Sequence, residues 1–251
     1  MKFHTTAVLK RVIRTVMPPR GNGESVIGRF SVSHNTWQAA QMNHELNYWV
    51  HDYPQEVPPG EDPEGYYRRH YHTLNANMFT NLQLDCSGLR VLDVGCGPFG
   101  SLAYQNPREL IGIDPLASEY QRRYPAHPAI RILNCQAEHI PLLDHSIDAA
   151  YCVNMLDHCE RPYEVLDEIH RVLRPGGYLA LAVDIGGTPE HPCRLEGPDV
   201  SAALSGRYRV LELRCGTEVV TSWPADMQIP AIAFQGQKID GDISPVAERN
   251  D

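Results

Sequence analysis

The sequence predicts an α/β fold: a Rossmann-like, doubly wound, mostly parallel sheet with an N-terminal helical extension. Three observations carry that expectation. From residue 89 onward, short apolar runs alternate with longer helical or loop stretches, the signature of repeated βαβ units. One run, Val91 to Val94, leads into the glycine turn Gly95-Cys96-Gly97-Pro98-Phe99-Gly100. The chain is also 42% apolar over 251 residues, enough for one large domain plus an extension.

Residues 1–30 are expected to form a basic arm. Lys2, Lys10, Arg11, Arg14, Arg20 and Arg29 face one acid, Glu24, in a chain whose formal net charge is −9. Phe3, Val8, Leu9, Val12, Ile13 and Val16 share one side of a short helix that Pro18-Pro19 ends. Such a helix suits weak contact with anionic lipid; the alternatives are a frayed terminus or an ill-chosen start. Lys10, Arg11 and Arg14 interrupt it, so it does not read as a secretory signal.

Residues 31–88 are expected to be a helical extension or lid. It holds a helix at 34–51, a loop rich in proline and acid from Asp52 to Gly65, and a second helix at 66–84. Trp37, Tyr48, Trp49, Tyr66 and Tyr67 either cover a bound ring or sugar, or pack on the core.

Residues 89–238 form the main domain. Strands are expected at Leu89–Val94, Leu110–Ile113, Ile130–Leu133, Ile147–Val153 and Tyr178–Val183, apolar enough to be buried on both faces of a parallel sheet. The clearest helix is 162–173, where Val165, Leu166, Ile169, Val172 and Leu173 share a face. Pro162 suits its first turn, and Leu173–Gly177 reads as a helix stop before a strand. Tyr208–Leu213 and Ala231–Gln235 are the last strands, joined by a loop with Trp223-Pro224, and residues 239–251 are a tail.

The acidic balance argues against a nucleic-acid partner, whose phosphates it would repel. The seven cysteines are scattered and contain no CxxC pair. That pattern predicts neither a disulfide framework nor a zinc site and fits reduced thiols in a cytoplasmic protein. His70 and His72 make no metal-ligand pattern of their own. No apolar run approaches the roughly 18–20 residues of a membrane span.

The glycine turn carries the chemistry. Gly95 and Gly97 let the backbone bend tightly and approach a ligand, and the amides opening the next helix point at its polar end. Gly95, Gly97 and Gly100 spell GxGxxG, which alone also suits a nicotinamide dinucleotide. Asp114, about 20 residues on, fits either ligand, because both contain an adenosine ribose. Asp93 discriminates: a carboxylate beside the loop suits a cationic sulfonium and opposes a pyrophosphate.

Five segments then fall into one order: LDVGCGPFG at 92–100, LIGIDP at 110–115, QAEHIP at 136–141, IDAAYCVNMLDH at 147–158 and EIHRVLRPGGYLAL at 168–181. Together they resemble class I S-adenosylmethionine-dependent methyltransferases, of the branch with quinone-biosynthesis enzymes and many sugar and natural-product O-methyltransferases. The resemblance implies S-adenosylmethionine as cofactor. It places Asp93, Gly95 and Gly97 around the methionine end, Asp114 on both ribose hydroxyls, and the turn of Gln136, Ala137 and Glu138 at the adenine. Asn154, ending the fourth strand, stands beside the methyl-transfer point. Gln136 departs from the family's usual aspartate, and Phe99 replaces a commoner small residue and narrows the methionine pocket.

His158 is the candidate catalytic base, because it follows the carboxyl end of the fourth strand, where ligands bind in open α/β sheets. The alternative is a histidine that caps a turn or packs beneath the loop. Asp157 either orients it or faces solvent. Thr188-Pro189-Glu190-His191-Pro192 resembles loops of glycan-modifying members, with His191 a substrate contact or a surface residue. The expected function is O-methylation of a sugar, glycan or other hydroxylated small molecule. A quinone- or lipid-ring methyltransferase and a catalytically silent cofactor-binding partner protein remain open.

Overall fold

A computed structural model of the chain describes residues 34–69, 86–100, 106–125, 127–186, 193–217 and 229–240. The basic arm, residues 70–85 with His70 and His72, the segment 101–105 where a helix is expected after the glycine turn, the 188–192 loop with His191, Trp223-Pro224 and residues 241–251 lie outside them, as does the side chain of Trp37.

Seven strands form one sheet: β1 (Arg90–Val94), β2 (Glu109–Ile113), β3 (Ile130–Leu133), β4 (Ile147–Val153), β5 (Leu173–Asp184), β6 (Tyr208–Gly216) and β7 (Ala231–Lys238). Their order is β3-β2-β1-β4-β5-β7-β6. The first five run parallel, and β7 is antiparallel to both β5 and β6. The chain winds outward from β1 to β3 and then crosses to β4, so the loops after β1 and β4 meet at the reversal of strand order.

Alternation along the strands divides the core by face. Leu92, Val94, Ile111, Ile113, Leu179 and Leu181 pack on one side with Val165, Leu166, Ile169 and Val172 of helix Pro162–Val172. Val91, Leu110, Ala149, Tyr151, Ala180 and Ala182 pack on the other. Continuous apolar runs thus mark strands buried on both faces.

The helix ends at Val172, where Leu173 turns extended, and β5 starts there rather than at Tyr178. The expected stop at Leu173–Gly177 is part of the strand: Leu173 pairs with Ile147, and a register shift follows between Ile147 and Ala149. A backbone can leave a helix and enter a ladder within one residue, which side-chain periodicity does not register.

The extension also departs from expectation. α1 (His34–Asn47) continues through a π-helical turn, Tyr48–Asp52, into α2 (Tyr53–Glu56), so the start of the expected loop is helical. The next helix, α3, begins at residue 63 rather than 66. Asp62 caps it, its Oδ1 accepting the Gly65 N–H at 2.7 Å, with Pro63 in the first turn. Asp-Pro-Glu is a helix-start signal hidden in a stretch that composition alone marks as loop. The remaining described helices are α4 (Ala117–Arg123), α5 (Pro162–Val172) and α6 (Gly197–Leu204). Among the described residues no helix is long and apolar enough to cross a membrane.

Candidate active site

The glycine turn sits at the carboxyl end of β1. The N–H groups of Gly95 and Cys96 both donate to the Ile113 carbonyl, at 2.9 and 3.1 Å, which ties the turn to the end of β2. Gly95 and Gly97 have φ of +69° and +58°, a region L side chains avoid. A Cβ on Gly95 would also clash with Met155 Cγ. Position 95 is therefore closed to any side chain by conformation and by the loop after β4.

Asp114 follows β2 and is locked by backbone. Its Oδ1 accepts the Leu116 N–H at 2.8 Å and its Oδ2 the Gly97 N–H at 3.1 Å. Burial pushes the carboxyl up to about 6, against those two donors, which favour the charged form; Glu45 adds to the rise and His158 opposes it. A carboxylate has about four lone-pair sites, so two remain for hydroxyl donors. Asp93 is buried on β1, and Asp93 Oδ2 lies 3.8 Å from where a Cβ on Gly100 would stand.

Burial, and after it the Asp114 charge, pushes the thiol of Cys135, just past β3, up to about 11. The turn beside it closes through His139 N–H to the Gln136 carbonyl at 3.1 Å, with Gln136 half-buried and Ala137 buried. Asn154 follows β4 with φ of +52°. Its N–H donates to the Ala182 carbonyl at 2.9 Å, and its buried Oδ1 has no hydrogen-bond partner among the described residues. Buried acids lie in, at or a few residues beyond the ends of the parallel strands: Asp93, Asp114, Glu138, Asp157 and Asp184. Such an edge favours a cation. Burial pushes the thiols of Cys96, Cys152 and Cys159 up, which removes them as nucleophiles.

His158 ends the 3₁₀ turn Leu156–His158 after β4. Its Nδ1 lies 3.0 Å from Glu45 Oε1 and 3.0 Å from Gln41 Nε2, both on α1, and its Nε2 is buried. Asp157 is fully buried rather than facing solvent, and its carbonyl accepts the Cys193 N–H at 3.1 Å. Glu45 and Gln41 are functional candidates that sequence reasoning missed. They stand one helical turn apart, but nothing local points across 117 residues to His158.

The aromatic residues of the extension pack rather than stand open. Trp49, Tyr53, Tyr67, Phe99, Tyr120 and Tyr124 form one buried cluster. Phe99 lies 4.8 Å from Tyr124 and 5.1 Å from Tyr67, centroid to centroid. The cluster borders the glycine turn: a Cβ on Gly97 would meet Tyr67 Oη at 3.7 Å and Trp49 at 3.9 Å.

A glycine cradle at the strand reversal, a backbone-locked acid after β2 and an acidic edge define the class I methyltransferase fold. Residues 92–181 match the family model described as a methyltransferase domain. That stretch therefore matches a methyltransferase domain, for which the sequence resemblance implies S-adenosylmethionine as cofactor. A probable phthiotriol/phenolphthiotriol dimycocerosates methyltransferase 2 of Mycobacterium ulcerans is 32% identical over 179 residues, 67% of this chain and 64% of that protein. A malonyl-[acyl-carrier protein] O-methyltransferase of Pectobacterium atrosepticum is 34% identical over 104 residues, 41% of each chain. The chain thus spans less than two thirds of the length of either relative. The structure of a Burkholderia thailandensis 1,6-didemethyltoxoflavin-N1-methyltransferase, with 1,6-didemethyltoxoflavin and S-adenosylhomocysteine bound, superposes with a TM-score of 0.52 at 18% identity. It covers 86% of this chain and 94% of its own, and it shares the fold.

The residues fit that cofactor. The cradle admits no Cβ at Gly95, Asp114 keeps lone pairs for hydroxyls, and the orphaned Asn154 Oδ1 is an acceptor at the strand end.

Proposed function

We propose that the protein is an S-adenosylmethionine-dependent O-methyltransferase acting on a sugar, glycan or other hydroxylated small molecule, with His158 as general base. Asp93, Gly95 and Gly97 hold the methionine end, Asp114 the ribose, and Gln136 and Ala137 the adenine; Asn154 lines the transfer point. When bound, the cofactor would supply a methyl carbon activated by its cationic sulfur, and the sulfur would keep the carbon–sulfur electron pair as the acceptor oxygen bonds to that carbon. The chain's own task is to orient the acceptor hydroxyl and receive its proton on His158 Nε2.

The observation that carries this reading is the setting of His158. Its ring stands at the carboxyl edge, within electrostatic reach of Asp114, and is held by a carboxylate at 3.0 Å. A base held in this way suits an alcohol, a weak nucleophile that a positioned base assists by about 10²–10⁴-fold. The name of the Pectobacterium relative supports an oxygen acceptor. A second reading, a lipid or quinone-ring acceptor, draws support from the aromatic cluster beside Gly97 and from the name of the mycobacterial relative.

Methyl-labelled S-adenosylmethionine, incubated with the protein and extracts of the source cells, should label a product whose methyl sits on oxygen. A label found on carbon or nitrogen discards the oxygen reading, and no label in any extract favours a silent cofactor-binding protein.

A further inference from the structure

The proposed base is gripped from the N-terminal extension, and the grip determines which ring nitrogen carries the lone pair. We propose that Glu45 is a positioning residue that accepts the Nδ1 proton of His158 and so fixes Nε2 as the proton-accepting nitrogen. The inference rests on the reading of His158 as base.

Two side chains of α1 compete for Nδ1. Glu45 Oε1 and Gln41 Nε2 each lie 3.0 Å from it. A carboxylate only accepts and an amide nitrogen only donates. Donation to Glu45 therefore requires the ring proton on Nδ1, and acceptance from Gln41 requires it on Nε2. A hydrogen bond to an ionised acceptor is roughly twice as strong as a neutral one. The side chains of His158 and Glu45 are only 16% and 25% exposed, so solvent screens that advantage little. Glu45 prevails, and the Gln41 amide is left to donate to Glu45 Oε1, 3.3 Å away.

The carboxylate is held by packing. Met42, Leu46 and Trp49, on the neighbouring strip of the same helical stretch, belong to or pack against the aromatic cluster, which pins the turn presenting Gln41 and Glu45. During turnover the Nδ1 proton stays in place. The acceptor's O–H bond breaks, Nε2–H forms, and Glu45 offsets the charge of the resulting imidazolium.

Ring-nitrogen spectra of isotope-labelled histidine in the full chain, with S-adenosylhomocysteine present and at a pH where the ring is neutral, read the tautomer without an acceptor. His158→Ala assigns the signal. The parent should show Nδ1 in the protonated range and Nε2 in the lone-pair range. Glu45→Met leaves Gln41 as the donor to Nδ1, and the two resonances should exchange ranges. Glu45→Gln removes the charge that decides the competition and should show both patterns together, between the parent and Glu45→Met. Gln41→Met added to Glu45→Met should abolish the forced exchange. A parent ring protonated on Nε2, or an unchanged pattern in Glu45→Met, overturns the inference and leaves His158 standing as a base. Because these spectra do not depend on turnover, a His158→Ala variant of full activity would sink the base and leave the tautomer to be decided by the spectra.

Discussion

The two halves that the proposed function assigns to the carboxyl edge, one for the cofactor and one for the acceptor, are built in different ways. The cofactor half, at the ends of β1 and β2, is backbone work: Gly95 and Cys96 bond to Ile113, and Gly97 and Leu116 bond to Asp114, all within about one strand–turn–strand unit. The acceptor half, after β4, depends on side chains that meet across 117 residues, Gln41 on His158, with Glu45 beside it. A site made of backbone is rigid and announces itself in a short motif. A site made of distant side chains is adjustable and is silent in the sequence.

The largest expected effect breaks the acceptor half alone. His158→Ala should leave S-adenosylhomocysteine affinity nearly unchanged and lower the single-turnover rate by roughly 10²–10⁴. The loss should be greater for alcohols than for phenols, which ionise more readily. A variant keeping more than about a third of the parent rate would transfer attention to His191 or to catalysis by positioning alone.

Gly95→Ala tests the seam between the halves. The added methyl meets Met155 in a residue already at φ of +69°, and a destabilisation of about 3 kcal/mol is expected from the two together. Urea denaturation measures it. Met155→Ala in the same chain removes the Cγ clash but leaves the Cβ of residue 155 at 2.8 Å and the backbone strain, so less than half should return. Complete recovery would show that conformation plays no part.

Asp114→Ala breaks the cofactor half, with an expected loss of about 2–3 kcal/mol in S-adenosylhomocysteine affinity by calorimetry. Unchanged affinity in a folded variant would remove Asp114 from the site. The raised pKa adds a sign. With the carboxyl near 6 in the folded chain against 3.8 in its absence, the folded state retains a proton that the unfolded state has lost. The stability this confers is full below about pH 4 and disappears as pH rises through about 6. Cofactor binding runs the other way, since ribose hydroxyls prefer the carboxylate, and should weaken below pH 6 with a slope approaching tenfold per unit. Glu45, His158, Cys96 and Cys135 surround the group, so the Asp114→Ala profile is the control. A slope that survives in that variant belongs to one of them.

The smallest effect lies farthest from both halves. Deleting residues 2–30 should leave cofactor affinity within about threefold, because the glycine turn lies some 65 residues beyond. If the arm rests on lipid, the full chain should sediment with anionic liposomes and the deletion should not; a full chain that stays in the supernatant excludes that role.

The same division explains what was legible. The strand starts at Ile130 and Ile147 were readable because parallel strands are rich in apolar residues, and the antiparallel starts at Tyr208 and Ala231 because aliphatic and aromatic residues cluster there. The glycine turn and Asp114 were readable because their spacing is fixed by backbone geometry. The start of β5 was not, because Leu173 serves as helix cap and strand residue at once. Helix α3 was misplaced by three residues because proline and acid were weighed as loop composition, although Asp62 and Pro63 were positional signals. Glu45 had no local signature at all.

The acids at or near the ends of the five parallel strands bear on product release. Methyl transfer discharges the sulfonium, so the ligand that enters carries one more positive charge than the ligand that leaves. On the proposed function, an edge bearing Asp93 and Asp114 should hold the charged form in preference to the spent one, so that turnover itself loosens the grip. Asp93→Asn should therefore narrow the affinity ratio between S-adenosylmethionine and S-adenosylhomocysteine and make the enzyme more prone to inhibition by its own product. An unchanged ratio would mean that the sulfonium is held by contacts other than this carboxylate.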